Sequence, residues 1–259
     1  MRNKIVIANW KMNKTLIETK EFVKQLRRGL GKSNVNEKRV LIAPSFTTLS
    51  TAVKLCERSI IEVIAQNVHE AKNGAYTGEV SISMLTEIGV KKVILGHSER
   101  REYFCETNQM LAKKVNTALA NDFEIVFCIG ESLDQRNNKK HFQTIENQLK
   151  DSLFHLLEDN FNKLILAYEP IWAIGTGIVA LPEQVQEMHL FIRQKLVKEY
   201  SVSVAEKVPI LYGGSIRPSN AEQIFSMPDV DGGLVGGASL AVQDFLAIIN
   251  TLSKIEAKA

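Results

Sequence analysis

Residues 164–177 read LILAYEPIWAIGTG. The opening LILA is apolar on both alternations, as a strand covered on both faces of a parallel sheet must be. The run ends on a carboxylate, Glu169, and Pro170 then stops it. Beyond Pro170 the chain carries Trp172, Ile174 and two glycines, Gly175 and Gly177. Proline stiffens the start of such a segment, and the glycines permit backbone angles that other residues resist. The composition is that of a hinged flap attached to a strand that presents a charge.

Seven further runs of the same kind are spread along the chain. They are IVIAN (Ile5–Asn9), VLIAP (Val40–Pro44), EVIAQN (Glu62–Asn67), KVILGH (Lys92–His97), EIVFCIG (Glu124–Gly130), PILYGG (Pro209–Gly214) and GLVGG (Gly233–Gly237). Helical spacing of apolar residues fills most of the gaps: Thr15–Leu30, Asn108–Asn121, His141–Leu157, Pro182–Val197 and Leu240–Leu252. The third unit is the weakest, with a glycine-bearing loop and only Ser81–Ile88 to form a short helix. Strands alternating with helices imply either an open doubly wound sheet or a closed barrel. Eight near-equal units in 259 residues favour the barrel: an α/β chain folded as one (β/α)8 domain over residues 1–259, with eight parallel strands. The tail, Ser253–Ala259, reads as a fraying helix end.

Composition narrows the function. Hydrophobic residues are 45% and charged residues 24%, with a net charge of +3. This is too balanced for a disordered chain and too dispersed in charge for a nucleic-acid partner. Short basic runs such as Asn137–Lys140 read as solvated surface. Three cysteines, Cys56, Cys105 and Cys128, have no CxxC spacing, and the five histidines no HExxH pattern, so neither a disulfide framework nor a structural metal site is expected. Cys128 reads as a small core residue. The first ten residues hold only a short apolar run, so neither a leader nor a membrane span is expected, and a reducing cytoplasm suits the cysteine usage.

In a (β/α)8 barrel the chemistry sits at the C-terminal ends of the strands. Those ends carry Asn9 and Lys11, His97 and Glu99, Glu169, the turn Gly213–Ser215, and Gly236 with Gly237. Each has an ordinary reading: Lys11 as a solvated loop residue, His97 as a hydrogen-bonded structural histidine, Glu169 as a loop charge, the glycines as turns. Their convergence on one mouth favours chemistry. Glycine turns after the seventh and eighth strands, with a helix N-terminus behind them, suit a phosphate group. A flap that shuts over Glu169, with Trp172 and Ile174 packing its tip, would exclude water, and a carboxylate stripped of water is a stronger base.

Several longer motifs now stand out: ANWKMN (Ala8–Asn13), GAYTGEVS (Gly74–Ser81), LGHSERR (Leu95–Arg101), YEPIWAIGTG (Tyr168–Gly177), LYGGS (Leu211–Ser215) and LVGGASL (Leu234–Leu240). In order and across the whole chain, they resemble the triosephosphate isomerases, TIM-barrel enzymes. The resemblance implies interconversion of dihydroxyacetone phosphate and D-glyceraldehyde 3-phosphate through an enediolate, in glycolysis and gluconeogenesis, without cofactor or metal. Glu169 matches the family's base, and His97 the neutral imidazole that polarises the carbonyl. Lys11 matches the cation that draws in substrate and stabilises the enediolate, Asn9 a polar neighbour, and Glu99 the partner of Lys11. Gly175, Ser215, Gly236 and Gly237 match the phosphate-binding groups, with Asn9 and Lys11 beside them. Pro170, Trp172, Ile174, Gly177 and Ala180 belong to the lid, with Tyr212 and Ser215 as its latches. The resemblance also implies a homodimer in which the loop Asn67–Gly78 enters a partner's mouth. There Thr77 would approach the partner's Asn9 and Lys11, and Arg100 and Glu79 would pair across the interface.

The chain departs from the family pattern at the far hinge. It reads Ile178-Val179-Ala180, with two β-branched residues that restrict rotation, followed by Leu181 where a hydroxyl would cap the next helix. The expectation is altered lid kinetics and about 1 kcal/mol of lost capping. Another phosphosugar isomerase or epimerase, or a barrel kept only for binding, are the competing readings. Neither accounts for Lys11, His97, Glu169 and the flap together.

Overall fold

The computed structural model describes residues 2–31 and 38–256. Eight parallel strands follow in chain order: β1 Lys4–Asn9, β2 Lys38–Ala43, β3 Ile61–Val63, β4 Lys92–Leu95, β5 Glu124–Glu131, β6 Leu164–Pro170, β7 Ile210–Tyr212 and β8 Gly232–Val235. Hydrogen bonding runs β3-β2-β1-β8-β7-β6-β5-β4. The ring closes just beyond β3, where the Ala65 N–H donates to Lys92 O (2.9 Å) and the Ile94 N–H to Ala65 O (2.8 Å). The run Glu62–Asn67 is therefore strand-like only as far as Ala65. Beyond it the Gln66 side chain turns inward to bond backbone carbonyls.

Both faces of the sheet are covered, which is why the runs are continuously apolar. Inside the barrel lie alternate residues, among them Ile7, Leu41, Ile94, Val126, Cys128 and Leu211. Outside, residues of opposite parity such as Val6, Val40, Phe127 and Leu166 pack against the helices. Cys128 is fully buried, and burial pushes its thiol well up.

The helices start where local chemistry favours it. Thr15 caps Leu16–Leu30 in a two-way box with Glu18, and Ser81 caps the short helix Ile82–Glu87. The helix Asn108–Ala120 begins behind a Thr107 cap. The helix expected over His141–Leu157 ends at Ser152. Leu153 and Leu156 keep helical spacing and are buried. Their carbonyls, however, accept from the Tyr200 hydroxyl at 3.4 and 3.1 Å, and the chain turns there. The next helix runs Pro182–Glu199, two residues past the expected end. The last helix begins at Val242 rather than Leu240, because Gly237–Leu240 forms a 3-10 turn. It continues to Glu256, and residues 257–259 of the expected tail lie outside the described residues. Among the described residues no helix is long and apolar enough to cross a membrane.

Candidate active site

A cavity of about 690 Å³ opens at the C-terminal end of the barrel. Asn9, Lys11, His97, Glu99 and Glu169 line it, facing the glycines of the β7 and β8 turns. Parallel strands all end at this mouth, so residues far apart in sequence meet there.

Lys11 is held in an uncommon conformation, with φ +51°. Asn9 Oδ1 accepts its N–H at 3.1 Å, and Gln66 Nε2 donates to its carbonyl at 2.9 Å and to Ala43 O at 2.8 Å. The Lys11 ammonium donates to Glu99 Oε1 at 2.6 Å. A side chain at Gly236 would begin only 3.5 Å from Lys11 Cε, so the cation lies against the β8 turn.

His97 is the N-cap of the helix Ser98–Tyr103, and its Nδ1 accepts the Glu99 N–H at 3.2 Å. With Nδ1 accepting, Nε2 is the ring nitrogen left to donate. That Nε2 faces Glu169 Oε1 at 3.1 Å. The approach is off the hydrogen-bond direction, and Oε1 is left buried without a partner. The other oxygen, Oε2, accepts the Ser98 N–H at 2.8 Å. Glu169 is 1% exposed. Two glycines make room for it. A side chain at Gly213 would start 2.8 Å from Glu169 Cγ, and one at Gly130 would start 1.9 Å from Glu169 O.

The flap leaves β6 at Pro170 and makes one 3-10 turn over Ile171–Ala173. Its middle, residues 175–179, is exposed, with Gly175 at φ +70° and Gly177 at φ +83°. Trp172 differs from expectation: it is set at the base of the flap rather than at its tip. The indole N–H donates to Glu131 Oε1 at 2.9 Å, and the Tyr168 hydroxyl donates to the same oxygen at 2.9 Å. Glu131 is wholly buried, and burial pushes its carboxyl up against the opposing pull of Trp172, Tyr168 and Arg136. Ile174 and Gly175 face the cavity. The Ser215 N–H donates to Ala173 O at 3.1 Å, so that amide is engaged by the flap.

At the far hinge Ala180 is buried and its amide faces the Tyr212 hydroxyl. No hydrogen bond of ordinary geometry forms, and the hydroxyl is buried without a partner. Burial pushes the Tyr212 phenol above its usual range, and the Ala180 amide opposes this. A side chain at Gly214 would start 2.2 Å from that hydroxyl and 3.0 Å from Pro170 Cγ, so both close on Gly214. Leu181 supplies no side-chain cap, as expected, but Gln184 Oε1 accepts its N–H at 3.0 Å, which preserves half of a capping box.

At the β8 turn Gly236 precedes the 3-10 turn that begins at Gly237. The first amides of such a turn have no internal acceptor, and Gly236 and Gly237 line the cavity. Away from the mouth, Thr77 and Glu79 are exposed on their loop, while Arg100 Nε donates within the chain to Glu106 Oε1 at 2.6 Å.

Two functional side chains escaped sequence reasoning. Gln66 fixes the strained Lys11 through its carbonyl, a link no local pattern announces. Glu131 had a usable signal: like Glu169, it is a carboxylate at the end of a buried apolar run.

The family model described as triosephosphate isomerase matches residues 4–252. The chain is 54% identical to the triosephosphate isomerase of Flavobacterium psychrophilum over 250 residues, covering 96% of this chain and 99% of that protein. It is 51% identical to the Flavobacterium johnsoniae enzyme over 253 residues, covering 97% and 100%. It is 46% identical to the one from Cytophaga hutchinsonii over 248 residues, covering 96% and 98%. The chain belongs to the triosephosphate isomerase family.

Proposed function

We propose that this chain interconverts dihydroxyacetone phosphate and D-glyceraldehyde 3-phosphate. The observation that carries the reading is the buried, unpartnered Glu169 Oε1 standing 3.1 Å from His97 Nε2 inside one cavity, with the other ring nitrogen accepting the Glu99 N–H. An aldose–ketose shift needs this pairing. The carboxylate takes the proton from the carbon beside the carbonyl, and the Nε2–H donates to the carbonyl oxygen, giving an enediolate. Glu169 then returns the proton to the neighbouring carbon, while His97 relays a proton between the two oxygens, so nothing is gained or lost overall. Lys11, held by Glu99 and by the Asn9 and Gln66 contacts to its backbone, supplies fixed positive charge to the enediolate. Asn9 orients the reacting oxygens.

The phosphate sits on the β8 turn, against the amides of Gly236 and Gly237, with Ser215 and Gly175 closing over it. Two contacts must change when substrate binds. Glu169 Oε2 leaves the Ser98 amide so that the carboxylate reaches carbon, and the Ser215 amide leaves Ala173 O to serve the phosphate. Closure of the flap from Pro170 to Ala180, with Trp172 on Glu131 as its anchor and Tyr212 meeting the Ala180 amide, couples both changes to exclusion of water. The enzyme works as a single-domain subunit of a cytoplasmic homodimer, with the loop Asn67–Gly78 as the arm that reaches the partner. Thr77 meets the partner's mouth, and Glu79 and Arg100 pair between subunits.

A coupled assay that follows dihydroxyacetone phosphate formed from glyceraldehyde 3-phosphate tests the reading. Rapid turnover is expected, with far slower turnover of unphosphorylated glyceraldehyde. A folded protein that turns over neither, or both equally, would overturn it.

A further inference from the structure

Strand β5 is longer than its neighbour. Its pairing with β4 ends at Leu95↔Phe127, whereas its pairing with β6 continues through Gly130↔Glu169 and Glu131↔Pro170. On the β4 side, residues 128–131 therefore overhang with no strand beside them. An overhanging edge must find other partners or remain unsatisfied. Arg101 supplies one, donating from Nη2 to Cys128 O at 3.0 Å and from Nε to Gly96 O at 2.8 Å. Gln148, on the helix His141–Ser152, supplies the rest. Its Oε1 accepts the Gly130 N–H at 2.9 Å, and its Nε2 donates to Gly130 O at 2.8 Å. One side-chain amide thus replaces the missing strand at a single residue.

That residue is the register partner of Glu169, and the contact is as close as backbones allow. A side chain at Gly130 would begin 1.9 Å from Glu169 O, 2.9 Å from its carbonyl carbon and 3.1 Å from its Cβ. The next residue, Glu131, holds Tyr168, just before Glu169, and Trp172, two residues beyond Pro170. Movement of the Gly130 peptide would be passed directly to the stem of Glu169. We propose that Gln148 is a positioning residue: by holding both polar groups of Gly130 it fixes the overhanging end of β5 against β6 and sets where the Glu169 carboxylate stands. The inference rests on the reading of Glu169 as the base.

The test compares wild type with Gln148→Met, which keeps length and shape but removes both hydrogen bonds. Misplacing a reacting group by a fraction of an ångström costs on the order of tenfold in rate, and by 1 Å on the order of a hundredfold. The expected result is a kcat about tenfold lower with KM changed less than about twofold, at a temperature where both proteins are fully folded. The same substitution is then made in a Glu169→Asp background. A residue that acts through Glu169 loses most of its effect there, to less than about twofold, because the carboxylate is already displaced. A residue with only a structural role lowers kcat by the same factor in both backgrounds, or lowers melting temperature and leaves kcat alone. Either outcome would overturn the proposal. If Gln148→Met does not fold, Gln148→Glu carries the same comparison, since it keeps the acceptor for the Gly130 N–H and replaces the donor by a carboxylate oxygen that repels Gly130 O. Wild type measured alongside separates the two levels of failure. An inactive wild type would overturn the isomerase reading and this proposal together; an active wild type with an uncoupled Gln148 would overturn this one alone.

Discussion

Replacing Lys114 with methionine removes a cation from a place where water cannot take over. Lys114 and Glu106 are 3% and 2% exposed at their side chains, and their charged atoms stand 2.7 Å apart. Lys114 also donates to Asn67 Oδ1 at 3.0 Å. Removing one member of a buried pair costs about 3–5 kcal/mol, because the remaining charge stays buried. Arg100 Nε still donates to the same Glu106 oxygen at 2.6 Å, which softens the loss. The orphaned Asn67 oxygen adds about 1 kcal/mol. Methionine fills the volume, so no cavity cost is added. The sum is about 3 kcal/mol. Urea unfolding at neutral pH and fixed protein concentration should show a lower midpoint with an unchanged slope. The pH dependence follows from the carboxyl. Burial pushes Glu106 up, but Lys114 and Arg100 overcome this and hold it below its ordinary range. A depressed carboxyl contributes stability above its unfolded pKa of about 4.3 and loses it as pH falls through the folded value. The gap between wild type and variant should therefore be full at neutral pH and narrow in acid, as Glu106 takes up a proton first in the variant, which lacks the Lys114 cation, and then in wild type. A gap under about 1 kcal/mol at neutral pH, or one that does not narrow in acid, would refute the reasoning.

Three further outcomes are expected. Trp172→Phe keeps an aromatic ring, though a smaller one, and removes the indole donor to Glu131 Oε1 at 2.9 Å, and should lower kcat several-fold; unchanged kcat would mean that this bond does not anchor the flap. His189 is fully buried, with Nδ1 3.1 Å from Asp229 O, and burial pushes its pKa down to about 4. The unfolded chain takes up that proton below about pH 6.5, so the native protein should lose stability as pH falls from 6.5 toward 4. His189→Gln should flatten that part of a melting-temperature profile, and an equal slope in both proteins would count against the assignment. Leu181→Thr completes the box whose other half Gln184 already supplies, and should stabilise by about 0.5–1 kcal/mol in urea unfolding and shift the lid's exchange rates by NMR relaxation dispersion. Unchanged stability and unchanged exchange would show that the hinge departures have no consequence.

The barrel was legible because strands covered on both faces must be apolar at every position, so runs such as LILA and VLIA stand out against the amphipathic helices around them. Helix ends were less so. Nothing local to Leu153 announces that Tyr200, 47 residues away, will take its carbonyl. Asn9, Lys11, His97 and Glu169 were accessible for a topological reason, since parallel strands deliver all their C-terminal ends to one mouth. The supporting residues were not. Gln66 acts on Lys11 across 55 residues and Gln148 on Gly130 across 18, and both do so through backbone groups that leave no pattern in the side-chain sequence. Trp172 was assigned to the flap but to the wrong end of it. Its buried partner Glu131 lies on another strand, and only the fold brings them together.

The measurement that bears most directly on the account is the steady-state comparison of wild type with Glu169→Asp on glyceraldehyde 3-phosphate. Aspartate keeps the charge and withdraws the carboxylate by one methylene, roughly 1.5 Å, while the Glu169 backbone stays packed against its register partner Gly130. A kcat lower by about a hundredfold or more, with KM changed only a few-fold, is the predicted result. A variant as active as wild type, with both proteins folded, would contradict the assignment of Glu169 as the base and the mechanism built on it.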